Sequence, residues 1–352
     1  MSGTGYTVPA RGARGTGRAE RLFLVSPAFH GYHRSIARAW AAQGFDVTVH
    51  CYDAYATVPM KLRNKALLEL PQKAGVDRTA ARVAWDTERA VAALRAARPD
   101  RVLVIKGDSL GEAFWSEVVE AGLPRLLWLY DDLSRHDYSP EFLRAIGPVL
   151  SYARSEAEQL AGEGVDAHYL PNGFDPDMAL PSLPRREELV FVGSRYPNRV
   201  ELLTTLAEAG VPVRAYGRQW SHHPVDRLRT WEVTRPALPA ERDIPLEEAY
   251  AVQAAAAGAI NIHGLQAGHA MRTFEVPGMG GLQLVDRADV AEFYEPGEEV
   301  LVFENPEHLV ELGRRVVAEP SWGERIREAG RSRSHAEHTF AHRAALAQEW
   351  WT

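Results

Sequence analysis

The chain has 352 residues, with 47 acidic against 40 basic side chains and a formal charge of −7 at neutral pH. That balance argues against a nucleic-acid binder, which presents a basic excess. A composition of 45% hydrophobic and 25% charged residues is that of a globular protein long enough for two cores. The single cysteine, Cys51, excludes an intrachain disulfide and Cys-based zinc clusters.

Residues 1–20 are rich in Gly, Arg and Thr, with no apolar stretch of the kind a secretory signal needs, and read as a mobile tail before the first strand. No apolar run approaches the ~20 residues that cross a bilayer, so the expected location is cytoplasmic, with no membrane span. Short apolar runs then alternate with helical patterns. Strands are expected at 21–27, 46–51, 101–107, 125–132, 148–153 and 167–171, with amphipathic helices at 32–43 and 79–97. Residues 176–188 hold three prolines and few periodic apolar positions, as a linker would. The pattern restarts with strands at 189–193, 211–217, 259–263, 282–286 and 300–303, separated by helices at 199–209, 246–257 and 306–317. Two final helices, 322–336 and 341–351, end on Trp350 and Trp351. The fold class is therefore α/β, with two Rossmann-like domains whose parallel sheets face a central cleft. The N-terminal domain spans 21–175 and the C-terminal domain 189–338. Residues 339–352 form a helix expected to cross back to the first domain, because two terminal aromatics need a surface to cover.

Ligands in such sheets bind beyond the carboxyl ends of the strands. In the stretch 271–286, Arg272 and Glu275 fall on one helical face near a helix start. Unpaired N–H groups and the helix dipole favour phosphate there. The arginine can clamp a diphosphate and the carboxylate can accept from ribose hydroxyls. The alternative is a solvated ion pair capping an ordinary αβ unit. A second strand–glycine–helix passage, 191–199, carries Gly193, Arg195 and Arg199 and can cradle phosphate in the same way. Asp175-Pro-Asp177 is a D-x-D string in a Pro-rich turn, where Asp is favoured for its backbone hydrogen bonds. No metal and no other cofactor is expected. His30 and His33 have no third ligand at a suggestive spacing.

On the acceptor side, 26–33 follows the first strand and 131–137 the fourth. His30, Asp131 and His136 are candidates for a base that deprotonates an acceptor hydroxyl, against the alternative that each caps a loop. Gly107-Asp-Ser-Leu-Gly111 reads as a G-x-S-x-G elbow between a strand and a helix. A serine hydrolase using Ser109, with a dyad such as Asp286 and His335, therefore competes.

Taken in order, several pieces carry a more specific resemblance. They are Phe191-Val-Gly-Ser with Arg199; Tyr216-Gly217 with Trp220; Ile260-Asn-Ile-His263; Arg272-Thr-Phe-Glu275 with Gly280; Phe293-Tyr-Glu-Pro-Gly-Glu298; and His338-Thr-Phe-Ala-His-Arg343. This series resembles the spore-maturation (CgeB-like) branch of GT-B glycosyltransferases over about residues 189–345. The first half resembles it more loosely, through 102–107, Trp128-Leu-Tyr-Asp-Asp132 and Pro171-Asn-Gly-Phe-Asp175. The resemblance implies transfer of a hexosyl or related sugar from a nucleotide-sugar donor to a small-molecule or glycan acceptor; metal independence is expected separately, with helix N-termini and arginines taking a metal's place at the leaving diphosphate. Glu275 would hold the ribose and Arg195, Arg199 and Arg272 the phosphates. Gly193, Tyr216, Gly217, His263, Thr273, Phe274 and Gly280 complete the donor site. Related retaining enzymes carry a further glutamate eight positions before the ribose-binding one, and here that position is Ala267. A catalytically inert nucleotide-sugar-binding protein is the third reading.

Overall fold

The computed structural model describes residues 5–11, 18–55, 57–73, 75–232, 234–264 and 266–351, and every structural statement below concerns these. The chain forms two compact units. One comprises Met1–Asn172 with Phe340–Thr352, and the other Gly173–Thr339.

The first unit is built on a seven-stranded sheet. Its strands are β1 (Gly5–Val8), β2 (Arg21–Ser26), β3 (Asp46–Cys51), β4 (Arg101–Ile105), β5 (Arg125–Trp128), β6 (Val149–Ser151) and β7 (Ala167–Tyr169), in the spatial order β1-β3-β2-β4-β5-β6-β7. Leu22, Phe23, Leu24 and Val25 are all fully buried, as are Val102, Leu103 and Val104. Such continuous apolar runs mark strands covered on both faces. The covering helices are α1 (Tyr32–Ala42), α2 (Val58–Asn64), α3 (Leu70–Lys73), α4 (Thr79–Ala97), α5 (Glu112–Glu120), α6 (Pro140–Ile146) and α7 (Arg154–Gly162), with a π-helical turn at Lys65–Glu69.

One strand departs from expectation. Gly5–Val8 lies in the stretch read as a mobile tail, yet it pairs antiparallel with β3, from Gly5 opposite His50 to Val8 opposite Val47. The remaining strands of this sheet are parallel. Tyr6, Thr7 and Val8 suit a strand, but three residues show no periodicity. The open edge of β3 supplies their backbone partners. Residues 1–4 and 12–17 of that stretch lie outside the described residues.

The second unit holds β8 (Leu189–Val192), β9 (Val213–Tyr216), β10 (Ala240–Glu241), β11 (Gly258–Asn261), β12 (Gln283–Val285) and β13 (Leu301–Val302), all parallel, in the order β10-β9-β8-β11-β12-β13. Its helices are α8 (Pro197–Glu208), α9 (Pro224–Thr230), α10 (Leu246–Ala255), α11 (Arg272–Gly278), α12 (Pro306–Ala318) and α13 (Pro320–Glu337). Buried Arg327 of α13 donates to the carbonyls of Ala254, Ala256, Ala257 and Gly280, satisfying the end of α10 and the turn after α11. Residues 176–188 between the two sheets contain no helix or strand.

The last helix, α14 (Phe340–Ala347), belongs to the first unit. Phe340 packs against Tyr32 and Trp128, Trp350 stacks on His168 at 4.9 Å, and Trp351 meets Trp40 edge-on at 5.5 Å. Aromatic pairs of this geometry add stability beyond the area they bury.

Gly330 is required by close approach. A Cβ there would overlap the Glu299 carbonyl oxygen, where α13 crosses the 295–299 turn. Gly330→Ala is therefore expected to lower stability by about 2 kcal/mol, although alanine is the better helix former by about 1 kcal/mol. A rise in the midpoint of thermal unfolding would contradict this packing.

Candidate active site

In an open α/β sheet the ligand crevice forms where the strand order reverses. In the second unit β8, β9 and β10 run one way from the centre and β11, β12 and β13 the other, so the reversal lies between β8 and β11. The segments leaving these strands begin at Gly193 and Ile262. Arg199, on the first turn of α8, joins them. Its guanidinium donates to the Ile262 carbonyl at 2.6 and 3.2 Å and to the Ser194 carbonyl at 3.0 Å. Asn198 adds a bond to the His263 carbonyl at 3.2 Å. Burial first, and then the nearby Arg272 charge, lowers the Arg199 pKa to about 10. The guanidinium still carries its charge, against carbonyl dipoles and the rings of Phe191 and Tyr196.

The Gly193 turn is clamped from the other side. Trp220 Nε1 donates to the Gly193 carbonyl at 2.9 Å, and a Cβ on Gly217 would lie 2.7 Å from that same oxygen. A Cβ on Gly193 would in turn stand 3.5 Å from the Arg272 guanidinium. Glycine at both positions lets backbone approach backbone and leaves the space beneath Arg272 open. Arg272 makes no hydrogen bond or ion pair among the described residues, so its donors are available to a ligand.

A buried polar network fixes where Arg272 stands. Asn261 donates to Gln283 Oε1 at 3.0 Å and to Thr273 Oγ1 at 3.3 Å, and Gln283 donates to the Thr273 carbonyl. His263 Nδ1 meets Asp286 Oδ1 at 2.8 Å, and the His263 backbone N–H donates to the same carboxylate. With Nδ1–H committed to Asp286, Nε2 accepts from the Thr273 hydroxyl at 3.2 Å. His269 lies beside Thr273 and 3.2 Å from Asp289. Arg287 closes the loop by donating to the carbonyls of Gln266, Ala267 and Gly268. Polar groups on β11 and β12 thus hold the start of α11 against the strand ends. Glu275, 1% exposed, accepts a short bond from Tyr250 on α10.

The remaining donor-side candidates are in place but differently engaged. Arg195 pairs with Glu232 at 2.6 Å and donates to the Thr234 carbonyl, so its charge is already matched. Tyr216 accepts from Arg186 at 2.7 Å. Phe274 packs with Phe293 and His338, and Gly280 accepts from Arg327. Leu265, between His263 and Ala267, lies outside the described residues.

In the first unit the strand order reverses between β2 and β4. The segments after β2, β4 and β5 each hold a non-glycine residue in the left-handed region: His30 (φ 47°), Lys106 (φ 63°) and Tyr130 (φ 64°). Strain of this kind costs of order 1–3 kcal/mol per residue and collects at functional sites. His30 is exposed, with its ring against Phe29. Asp131 pairs with Lys106 at 3.4 Å and Arg135 at 3.3 Å. The His136 side chain is fully buried, 3.8 Å from the half-exposed Asp108 carboxylate, and burial lowers its pKa. These candidates share one edge of the sheet, but His136 lies beneath it.

Comparison with known proteins bears on this arrangement. Residues 195–349 match a family model described as glycosyl transferase-like. Sucrose-phosphate synthase from Thermosynechococcus elongatus superposes with a TM-score of 0.59 at 15% identity, over 94% of this chain and 98% of that one. HepE from Anabaena, solved in complex with UDP and glucose, gives 0.59 at 12% identity over the same shares. The fold is GT-B. A putative UDP-N-acetylglucosamine 2-epimerase from Listeria monocytogenes shares it (TM-score 0.57, 12% identity, 94% of this chain and 95% of that one), so the fold alone does not name the reaction. No curated protein sequence matches the chain. No helix among the described residues is long and apolar enough to cross a membrane.

Within this GT-B frame the hydrolase reading finds no support. Ser109 has no imidazole partner among the described residues. Asp286 is held by His263, and His335 by the Gly278 carbonyl. In the D-x-D string Asp175 Oδ1 accepts the Asp177 N–H at 3.1 Å, as an Asp turn does. Sequence reasoning missed Tyr250, Asn261, His269 and Gln283. For Asn261 and Gln283 the available signal was a polar side chain on a strand otherwise apolar, which must find a buried partner; Tyr250, on α10, and His269, in a loop, carried no such signal.

His269 supplies a test of the network. Burial first, then Arg287 and His263, lowers its pKa to about 4, while Asp289 opposes the shift. A histidine whose folded pKa lies below its unfolded value contributes stability that is intact above about pH 6.5. That stability is lost as pH falls toward 4, by about 3 kcal/mol at most. His269→Gln should flatten the stability–pH curve across this window, and denaturant titrations at pH 7, 5.5 and 4.5 would show it.

Proposed function

We propose that the protein transfers a glycosyl group from a nucleoside-diphosphate sugar to an acceptor hydroxyl, without a metal ion. The observation that carries this reading is Arg272. Among the described residues it is an arginine with no hydrogen bond or ion pair, standing over the Gly193 turn at the strand-order reversal beside a buried polar network. In the reaction the acceptor oxygen bonds to the anomeric carbon as the bond from that carbon to the diphosphate breaks. The electron pair leaves with the nucleoside diphosphate, and Arg272 stabilises the charge that develops. Glu275, anchored by Tyr250, is assigned to the ribose. Arg199 and Arg195 act as positioning residues, because their donors are spent on carbonyls and on Glu232. The match of residues 195–349 to glycosyl transferases favours transfer over epimerisation. The complex of HepE with UDP and glucose makes UDP the first nucleotide to test.

A ligand at 100 times its Kd should stabilise the protein by about 2.7 kcal/mol, which thermal shift resolves. Arg272→Ala is expected to keep the unliganded melting temperature and weaken UDP binding about 10- to 100-fold, the equivalent of one charge-assisted contact. Arg199→Ala should instead lower the melting temperature. Product formation should persist in EDTA. Unchanged UDP affinity in folded Arg272→Ala would remove the donor assignment.

On the acceptor side His30 is the proposed general base, being exposed at the β2–β4 reversal, whereas His136 is buried and Asp131 is paired twice. His30→Ala is expected to lower kcat by about 10²–10⁴-fold with donor Kd unchanged. An equal loss of donor affinity would count against it.

A further inference from the structure

Away from the strand ends, the first unit contains a groove of about 910 Å³ between the β1/β3 edge and α4, with α2 along one side. That volume falls within the range of small-molecule sites, roughly 300–1,000 Å³, whose linings are mostly apolar with a few convergent polar groups. The floor fits that description. Ala92, Ala93 and Ala96 recur at helical spacing on one face of α4, and small side chains there hold the helix surface open above the sheet.

Two polar groups bordering this space lack hydrogen-bond partners among the described residues. His50 is 98% buried, and its Nε2 has no hydrogen-bond partner. Burial, then Arg89, lowers its pKa to about 4, so the ring is neutral at physiological pH and can exchange one hydrogen bond. A buried polar atom left unmet costs about 1–3 kcal/mol. Arg63 stands over the Trp85 ring at 4.6 Å, with Trp85 stacked on Tyr55 at 5.0 Å. Among the described residues the Arg63 guanidinium makes no hydrogen bond and no ion pair. In a chain where 47 acidic side chains outnumber 40 basic ones, an arginine left without a carboxylate beside an apolar groove is complementary to an anion. Arg89 is not available, being committed to the carbonyls of Tyr52 and Ala54 and to Asp86.

We propose that this groove is a second ligand site, which takes a small molecule with an apolar body and one anionic group. The apolar body lies along the alanine face of α4, a polar atom on it meets His50 Nε2, and the anion pairs with Arg63. This inference rests on the first unit alone and is independent of the glycosyl-transfer reading.

The probe is 8-anilinonaphthalene-1-sulfonate, an aromatic body carrying one sulfonate, titrated by fluorescence against the full-length protein. Saturable one-to-one binding is expected, displaced by dodecanoate or 2-naphthoate but not by UDP. Arg63→Ala and Ala96→Phe should each weaken it by about tenfold or more, the first by removing the charge and the second by filling the floor. Arg63 is exposed, so its variant keeps the melting temperature and reports on binding even if Ala96→Phe misfolds. Binding that does not saturate, or that is unchanged in folded Arg63→Ala, overturns the proposal. Displacement by UDP would assign the probe to the donor site and overturn it equally.

Discussion

The charge of Arg199, buried among carbonyl oxygens, is the interaction on which the strand-order reversal of the second unit depends. A guanidinium removed from water is costly unless its donors are met, and here the partners are the backbone of the two segments that leave β8 and β11. Those segments diverge because the strand order reverses between them. Without a bridge, the Ile262 and Ser194 carbonyls would lose both their partners and their spacing. The same residue adds its charge beside Arg272; burial first, and then that neighbouring charge, lowers its own pKa to about 10. A region that is positive before any ligand arrives, and shaped by backbone rather than by mobile side chains, is prepared for an anion.

The two sheets meet the same topological problem with different chemistry. In the second unit the reversal is held by a satisfied network of Asn261, His263, Thr273, Gln283 and Asp286, whose buried members leave little freedom. In the first unit the corresponding edge is shaped by left-handed residues at His30, Lys106 and Tyr130 and by ion pairs that remain partly solvated. A rigid, internally bonded site suits a ligand with fixed chemistry. An edge formed by strained loops is where binding specificity varies most readily between proteins of one fold.

Much of this was legible in the residues themselves. Runs such as Leu22–Val25 and Val102–Val104 announced buried parallel strands. The restart of the pattern after the prolines of 176–188 announced a second sheet. Gly5–Val8 was not legible, because a short edge strand draws its stability from a partner 40 residues away. The engagement of Arg195 by Glu232 was hidden for the same reason: nothing local in 191–199 records which acid the fold brings to it. The groove beside α4 left only a trace in the sequence, a run of alanines that reads as an ordinary helix face.

The sequence by itself determined the layer architecture and the positions of the buried parallel strands, because hydrophobic period and turn chemistry act over a few residues. The tertiary structure alone decided which of three arginines keeps its donors open, which histidines are buried, and that Glu275 is tethered to Tyr250. Partner choice among charged side chains is a competition settled by distance and burial, and both exist only once the chain has folded.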